Sequence, residues 1–288
     1  MNYRHAFHAG NFADVFKHAL LAVLLQYLKT KDKPFFVLDS HAGLGLYDLS
    51  DERSLRTGEW RDGIARVLTR SDAPAPLAPY LAAVRDVNEG EGLRWYPGSP
   101  RLIRNLLRDQ DRLAAVEMHP EDSRLLADEF AGDPAVRIHT MDGYSALKSL
   151  LPPPERRGLV LVDPPFEKTD EFAQLARGLK EAHRRWATGI FMLWYPIKNR
   201  DSVATFHAEV AALAIPRTMA VELRLEAEQP SRLIGCGIVL VNPPWTFEAE
   251  AASILDYLVK VLGRSAGASH RIEWLVPEEG ATSASARR

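Results

Sequence analysis

The chain has 288 residues, of which 46% are hydrophobic and 26% charged, so it is long enough for one large α/β domain with an insertion. Its 36 Lys and Arg and 38 Asp and Glu give a net charge of −2, which excludes a global basic field for nucleic acid and leaves a local patch for any such partner. The single cysteine, Cys236, excludes an intramolecular disulfide and a cysteine-cluster metal site, and is consistent with a reducing compartment.

The sequence contains no signal for export or membrane insertion. Residues 1–5 lack the charged and apolar regions of a signal peptide. The longest apolar run, residues 19–25, is too short to cross a bilayer. We therefore expect a cytoplasmic protein without a membrane partner.

The first predicted element is a helix over residues 12–29. Asn11 precedes it as the expected N-cap, and Asp14 adds an acid to its first turn. Lys17 and His18 project from its early part. Taken alone, their positions indicate a solvated lysine and a histidine on the helix surface.

A first strand over residues 35–39 ends at Asp39 and is followed by a glycine-bearing turn. Gly43 and Gly45 in this turn would let backbone N–H groups approach a ligand closely. The order of strand, acid and G-x-G is similar to the first motif of S-adenosylmethionine enzymes. A dinucleotide-binding fingerprint, which would indicate an oxidoreductase, needs a third small residue where Asp48 stands, so that pattern fails.

Residues 47–96 have the pattern of an inserted helical subdomain without a strong strand. The insertion explains why the next strand that ends in an acid comes only at residues 113–117. Basic residues of this part of the chain could bind phosphates, although interspersed acids favour a solvated helix face equally. These basic residues are Arg53, Arg56, Arg61, Arg66 and Arg70, with Lys31 and Lys33 nearby.

The remaining strands predict a Rossmann-like class I fold of S-adenosylmethionine-dependent methyltransferases, an α/β fold with a seven-stranded, mostly parallel sheet. Segments with a helical pattern separate most of the strands, but the sixth and seventh strands are joined without a convincing helix and should form an antiparallel hairpin. A helix over residues 251–262 and a last short strand should complete the core. Strands two to seven cover residues 113–117, 136–139, 159–163, 190–194, 218–225 and 237–241, and the last strand covers 272–276.

Acids follow four of these strands in order, and each fits a need of S-adenosylmethionine. Asp39 belongs to the glycine turn of Gly43, and Glu117 after the second strand can accept hydrogen bonds from both ribose hydroxyls. Asp142 after the third strand can accept the hydrogens of the adenine amino group. Because the sulfonium and ammonium groups of the ligand are cationic, acids around them are favourable. Together with Asp163 after the fourth strand, they favour a cofactor site over unrelated strand ends.

The stretch LVLVDPPF, residues 159–166, predicts a buried strand that ends at the catalytic carboxylate. Asp163 and the carbonyl of Pro164 can accept the two N–H bonds of an exocyclic amine, while Phe166 can stack on its base. Asp163 can afterwards take the surplus proton. A paired base cannot reach such a pocket, so the substrate must be flipped or unpaired. Carbon methylation of pyrimidines would need a cysteine nucleophile, and Cys236 has no catalytic context.

A second copy of the same pattern occurs at residues 242–245, NPPW. It follows the seventh strand, which should run opposite to the parallel strands and end at the other edge of the sheet. We therefore assign Asn242 to structure.

The motifs MNYRHAFHAGNFADVFKH, DSHAGLGLYDL, PGSP, VEMHP, MDGYSAL and VDPPF together resemble the RlmJ family, which methylates adenine N6 in 23S ribosomal RNA. The similarity covers the chain up to about Glu279. The first motif has His41 where the broader enzyme class has an aromatic residue, as this family does. The family also carries a helical insertion after the first motif.

The resemblance implies S-adenosylmethionine as the cofactor, 23S rRNA with an unpaired or flipped adenine as the partner, and roles for particular residues. Asp163 would be the catalytic acceptor. Tyr3 would meet the RNA or gate the target base, and His5 and Lys17 would be further substrate contacts. The residues that would contact the cofactor are His18, His41, Ser99, Glu117, Asp142, Gly143 and Asp163.

These observations predict four parts of the chain. Residues 1–30 would pack on the catalytic domain, residues 31–46 and 97–278 would form the methyltransferase domain, residues 47–96 would be inserted, and residues 279–288 would be a disordered tail. We expect a monomer without a metal. The alternatives are an enzyme that methylates DNA adenine or protein glutamine, which can use the same motif, and a non-catalytic RNA-binding module on the same fold.

Overall fold

The computed structural model describes residues 5–90, 92–228 and 232–278. The expectations for Tyr3 and for the tail 279–288 lie outside these residues.

The described residues form an eight-stranded sheet with the order β10-β8-β9-β7-β6-β1-β4-β5. The five strands from β7 to β5 in this order are parallel, and β9 runs antiparallel to both of its neighbours. The carboxyl ends of the parallel strands therefore lie along one edge. The strands are β1 (Phe36–Asp39), β4 (Arg112–Val116), β5 (Val136–His139), β6 (Gly158–Val162), β7 (Ile190–Ile197), β8 (Thr218–Arg224), β9 (Gly235–Val241) and β10 (Ser269–Val276).

The predicted class I fold and the predicted hairpin of β8 and β9 are confirmed. The sheet has eight strands, however, instead of the expected seven. The last strand begins at Ser269 and pairs antiparallel with β8 over most of its length, so it extends the same sheet. Its pairing with β8 buries backbone groups that an edge strand would leave exposed.

The predicted insertion is bounded by two short strands that its sequence does not indicate. Two short strands, β2 (Leu46–Asp48) and β3 (Trp95–Pro97), pair antiparallel where the insertion begins and ends. The N–H of Gly98 also donates to the carbonyl of Gly45 at 2.8 Å. Three-residue strands are too short to show an alternating pattern in the sequence, and their pairing is what brings both ends of the insertion back to the sheet.

Helices cover both faces of the sheet. One hydrophobic core contains side chains of α1, α4, α5 and α10, and a second core on the other face contains those of α7, α8 and α9. The helices are α1 (Phe12–Lys29), α2 (Glu52–Thr57), α3 (Ile64–Leu68), α4 (Ala78–Asp86), α5 (Ser99–Leu106), α6 (Pro120–Glu129), α7 (Gly143–Ser149), α8 (Glu171–Arg185), α9 (Arg200–Ala212) and α10 (Phe247–Leu262).

Helix α1 lies inside the protein because the sheet covers one side and α4, α5 and α10 cover the others. The Asn11 side chain caps it by accepting hydrogen bonds from the N–H groups of Ala13 and Asp14. Lys17 and His18 are both buried, so the interpretation of these residues as solvated is wrong. Burying such side chains is costly unless they have partners, and their partners define the site.

Candidate active site

A cavity of about 860 Å³ lies at the carboxyl ends of the parallel strands. All the described residues predicted to contact the cofactor or the substrate or to act in catalysis line it, whereas Asp39, one of the four predicted acids, lies outside the lining. These lining residues are His5, Lys17, His18, His41, Gly43, Ser99, Glu117, Asp142, Gly143, Asp163, Pro164 and Phe166.

Lys17 joins two carboxylates in the wall of the cavity. Its ammonium group forms an ion pair with Asp163 Oδ2, and Nζ lies 3.0 Å from Asp14 Oδ1. The other oxygen of Asp14 lies 2.9 Å from His5 Nε2 and accepts the N–H of Gly10. Asp14 therefore ties the N-terminal segment, through Lys17, to the predicted catalytic carboxylate.

The charges of this network stabilise one another. Burial alone would lower the pKa of Lys17, but the carboxylates of Asp14 and Asp163 outweigh it and raise that pKa well above its usual value. Burial would also raise the pKa of Asp14, yet His5 and Lys17 hold it well below its usual value. Lys17 is therefore a permanent cation beside Asp163.

Glu117 and the glycine turn form one wall. Glu117 Oε2 accepts the N–H of Gly43 at 3.0 Å, and Oε1 accepts that of His119 at 2.8 Å. Gly43 has a φ of +65°, and a Cβ there would lie 2.3 Å from the Tyr47 hydroxyl oxygen. Only glycine fits this turn, which keeps the Glu117 carboxylate fixed at the rim of the cavity.

His41 and Gly143 form the opposite wall. The His41 ring meets the edge of Tyr144, with ring centroids 5.5 Å apart. Asp142 caps α7 by accepting the N–H of Ser145 at 2.7 Å, and a Cβ on Gly143 would lie 2.3 Å from the carbonyl oxygen of Ser40. The backbone of Gly143 therefore packs directly against Ser40 and His41, and a side chain at this position would not fit.

Asp39 lies beneath the turn and is fully buried. Its Oδ2 atom has no hydrogen-bond partner among the residues that the structure describes. Burial raises the pKa of Asp39 to about 7, against an opposing hydrogen bond from Ser99. Asp39 itself does not line the cavity, but Ser40 and Ser99 beside it do, and an unpaired carboxyl oxygen behind this wall favours a cationic ligand.

Phe166 stands at the mouth of the cavity with a φ of +49°. The edges of two rings support it, those of Phe172 and Trp194, at centroid distances of 5.0 Å and 5.8 Å. Trp194, which lies within the central strand β7, also lines the cavity. The aromatic cluster offers a flat apolar surface next to Asp163.

The sequence does not predict Asp14 and Trp194 as residues of the site. An acid in the first turn of a helix has a sufficient local explanation, although its spacing of three residues from Lys17 indicated a pair. Trp194 falls in a predicted buried strand, and nothing in the neighbouring sequence distinguishes a core tryptophan from one at a cavity.

The second acceptor-Pro-Pro-aromatic motif lies at the opposite edge of the sheet, as predicted. β9 ends at Val241, which pairs with the beginning of β7 at Phe191. The side-chain amide of Asn242 donates to the carbonyls of Ala187 and Gly189, both at 2.8 Å. It closes a loop and lies outside the cavity.

We expect Asn242→Ala to leave methyl transfer unchanged and to lower the free energy of unfolding by about 2 kcal/mol. Two carbonyls lose their donor, and alanine must adopt the left-handed conformation that Asn242 holds at a φ of +55°. Urea denaturation and a transfer assay on the same preparation check this. Lost transfer in a folded variant would contradict the structural role.

The arginines of the insertion mostly face acids on the surface. Arg53 pairs with Asp51, and Arg66 pairs with Asp62. Arg53 also lines the cavity. Such exposed pairs contribute little to stability.

His18 makes the stability of the fold depend on pH. Burial lowers its pKa from the ordinary 6.5 to about 3, so between these values the unfolded chain binds a proton that the folded protein does not. The free energy of unfolding should therefore fall by about 2 kcal/mol from this group between pH 7 and pH 5. In His18→Gln, urea denaturation should show a shallower acid dependence. An identical dependence in both proteins would contradict a neutral buried His18.

No helix among the described residues has the length and apolarity needed to span a membrane.

The sheet order and the acids around this cavity are those of a class I methyltransferase that uses S-adenosylmethionine. A family model described as ribosomal RNA large subunit methyltransferase D, RlmJ, matches residues 32–276. The chain belongs to this family, which confirms the predicted membership. It is a methyltransferase, and its methyl donor is S-adenosylmethionine.

Two similar proteins align with nearly the whole chain. Ribosomal RNA large subunit methyltransferase J of Escherichia coli is 41% identical over 279 residues, which are 96% of this chain and 100% of that protein. The protein of the same name from Haemophilus influenzae is 40% identical over 280 residues, 96% of this chain and 100% of its own length.

Two crystal structures are similar in fold. A protein from Legionella pneumophila has a TM-score of 0.86 and 36% identity, and the alignment covers 92% of this chain and 98% of that one. A probable spermidine synthase from Corynebacterium glutamicum has a TM-score of 0.52 and 16% identity, over 93% of this chain and 81% of its own. The second likeness shows the fold alone.

Proposed function

We propose that this methyltransferase transfers a methyl group to the exocyclic N6 atom of an unpaired or flipped adenine in 23S rRNA. The observation that carries the proposal is the position of Asp163, Pro164 and Phe166 at the mouth of the cavity that holds the predicted cofactor residues. Membership in a family of ribosomal RNA methyltransferases supports the substrate class.

The residues of the cavity fit the cofactor. Glu117 can accept hydrogen bonds from the ribose hydroxyls, and Asp142, which also lines the cavity, can accept the hydrogens of the adenine amino group. The unpaired oxygen of Asp39 favours the cationic end of the ligand. When bound, S-adenosylmethionine supplies an electrophilic methyl group on a sulfonium.

Asp163 is proposed to orient the reacting amine. Its Oδ2 atom is engaged by Lys17, so we assign Oδ1 to one N–H of the adenine amino group and the Pro164 carbonyl to the other. The two acceptors hold the nitrogen lone pair toward the methyl group and become stronger partners as positive charge develops on the nitrogen. Asp163 then accepts the proton that the nitrogen releases.

Phe166 is proposed to stack on the target base, with Trp194 as its support. The ring cluster holds Phe166 in one orientation, so a base that enters meets a preformed surface. An adenine inside a helix cannot reach this surface, which is why the substrate must be unpaired or flipped.

The insertion is proposed to place the N-terminal segment over Asp163. The Ser54 hydroxyl donates to the Ala6 carbonyl at 2.9 Å, and the N–H of Ile64 donates to the Gly10 carbonyl at 2.9 Å. His5 is then held at 2.9 Å from Asp14, near Lys17. We propose His5 and Lys17, with Tyr3 upstream, as the residues that meet the substrate.

This division gives residues 47–96 a positioning role beside the methyltransferase domain of residues 31–46 and 97–278. We further propose that the enzyme acts as a cytoplasmic monomer. We also propose that it needs no metal, because carboxylates and a carbonyl provide the acceptors that the reaction requires.

Transfer of labelled methyl groups to rRNA tests the proposal. The purified protein is incubated with labelled S-adenosylmethionine and 23S rRNA from a strain that lacks this gene, and the rRNA is digested to nucleosides. We expect label in N6-methyladenosine. Label in another nucleoside, or label only when DNA or protein replaces the rRNA, would overturn it.

A further inference from the structure

A buried chain of hydroxyl groups connects the insertion to the cofactor cavity through His18. The hydroxyl oxygens of Tyr80 and Tyr96 lie 3.1 Å apart, and the Tyr96 hydroxyl lies 2.8 Å from His18 Nδ1. All three side chains are buried, and the rings of Tyr96 and His18 stack with centroids 5.7 Å apart. Because Tyr80 lies on α4 and Tyr96 on β3, the chain begins in the inserted residues and ends at the cavity.

With a ligand acceptor at His18 Nε2, one direction of this chain satisfies every hydrogen-bond donor in it. The acceptor that the structure gives to the Tyr80 hydroxyl, within the described residues, is Tyr96, so Tyr80 donates to Tyr96. Tyr96 must then donate to His18 Nδ1, since the reverse direction would leave a buried hydroxyl hydrogen without an acceptor. Burial lowers the pKa of His18 to about 3, so the imidazole is neutral. Its one proton is therefore on Nε2.

The Nε2 atom is a buried donor in the wall of the cavity. His18 is 1% exposed, and Nε2 has no hydrogen-bond partner among the residues that the structure describes. A buried N–H without an acceptor is unfavourable and indicates that a ligand atom completes it. The methionine carboxylate is the strongest acceptor that S-adenosylmethionine carries. The acids around the cavity would repel this carboxylate, whereas a neutral N–H donor can bind it.

We propose that Tyr96, supported by Tyr80, is a positioning residue that holds His18 as the Nε2–H tautomer, and that this N–H donates to the carboxylate of the methyl donor. The inference rests on the proposed placement of the cofactor in this cavity. It gives the insertion a part in cofactor binding through side chains inside the core.

The affinities of two ligands distinguish the loss of this contact from a general disturbance of the site. S-adenosylhomocysteine carries the carboxylate, and 5′-methylthioadenosine lacks the whole amino-acid part. We expect Tyr96→Phe to weaken binding of S-adenosylhomocysteine about tenfold and to change binding of 5′-methylthioadenosine by less than about twofold, as measured by calorimetry. Tyr80→Phe is the matched control, because it removes the neighbouring hydroxyl and keeps the bond from Tyr96 to His18. It should weaken S-adenosylhomocysteine only about twofold.

Nitrogen-15 spectra of the wild-type imidazole report the tautomer without any substitution. We expect a protonated Nε2 and a bare Nδ1 on His18, and a mixture of tautomers in Tyr96→Phe. A proton on Nδ1 in the wild type, or an unchanged ratio of the two ligand affinities in Tyr96→Phe, overturns the role of Tyr96. If the wild-type protein binds neither ligand, the cofactor placement is wrong as well. If it binds both and methylates rRNA, only the role of Tyr96 is lost.

Discussion

Asp163→Asn should reduce the rate of methyl transfer to 23S rRNA by about 10³-fold. Asparagine keeps the size of the side chain but loses the negative charge that strengthens the hydrogen bond as the amine becomes cationic. It also cannot take the released proton. Single-turnover transfer of labelled methyl groups measures the chemical step directly.

The control for this substitution is binding of S-adenosylhomocysteine to the same variant. Because Asn retains one acceptor oxygen, we expect the affinity to change by less than about tenfold. Asn242→Ala provides the second control, since it alters the other acceptor-Pro-Pro-aromatic motif. Undiminished transfer by a folded Asp163→Asn variant would show that another group orients the amine.

Lys17→Met should lower the free energy of unfolding by about 3–5 kcal/mol. The Lys17 side chain is 5% exposed, and its ammonium group neutralises Asp14 and Asp163, whose side chains are 2% and 14% exposed. Methionine fills the same space but leaves two neighbouring carboxylates without their cation inside the protein. Urea denaturation at pH 7 measures the loss.

A second substitution distinguishes lost charge from lost packing. In Lys17→Met with Asp14→Asn, one of the two carboxylates that lost the Lys17 cation is gone, so the double variant should recover part of the stability. The effect of Asp14→Asn alone on the free energy of unfolding is measured as well. If Asp14→Asn lowers the stability of Lys17→Met by the same amount, the two residues are not coupled, and the network does not stabilise the fold.

The sheet and the acids at its edge are predictable because they follow from local pattern and simple geometry. A buried apolar run that ends in an acid identifies a strand and its carboxyl end, and the carboxyl ends of parallel strands share one edge. Asp39, Glu117, Asp142 and Asp163 could therefore be placed together without coordinates. The opposite placement of Asn242 follows from the direction of the hairpin.

The Asp14–Lys17–Asp163 network could not be predicted in the same way. The ion pair between Lys17 and Asp163 joins residues 146 positions apart, and a helix that is buried on all sides gives its polar residues no recognisable pattern. The sequence around Lys17 indicates a helix, and it leaves open which side of that helix is covered.

The roles of Tyr96 and Trp194 could not be predicted for the same reason. Both lie in strand segments whose apolar character explains them locally, and their polar atoms matter only because of what the fold puts beside them. The short strand that contains Tyr96 exists because β2 pairs with it, which is a tertiary effect that a three-residue pattern cannot reveal.

The central claim is that Asp163 accepts the amino group of the target adenine beside the methyl donor. A crystal structure of the protein with S-adenosylhomocysteine and adenosine monophosphate tests it most directly. We predict the base against Phe166, with N6 roughly 3 Å from Asp163 Oδ1 and facing the sulfur. A base bound with N6 turned away from Asp163, or a cofactor outside the cavity bounded by Gly43 and Glu117, would contradict the claim.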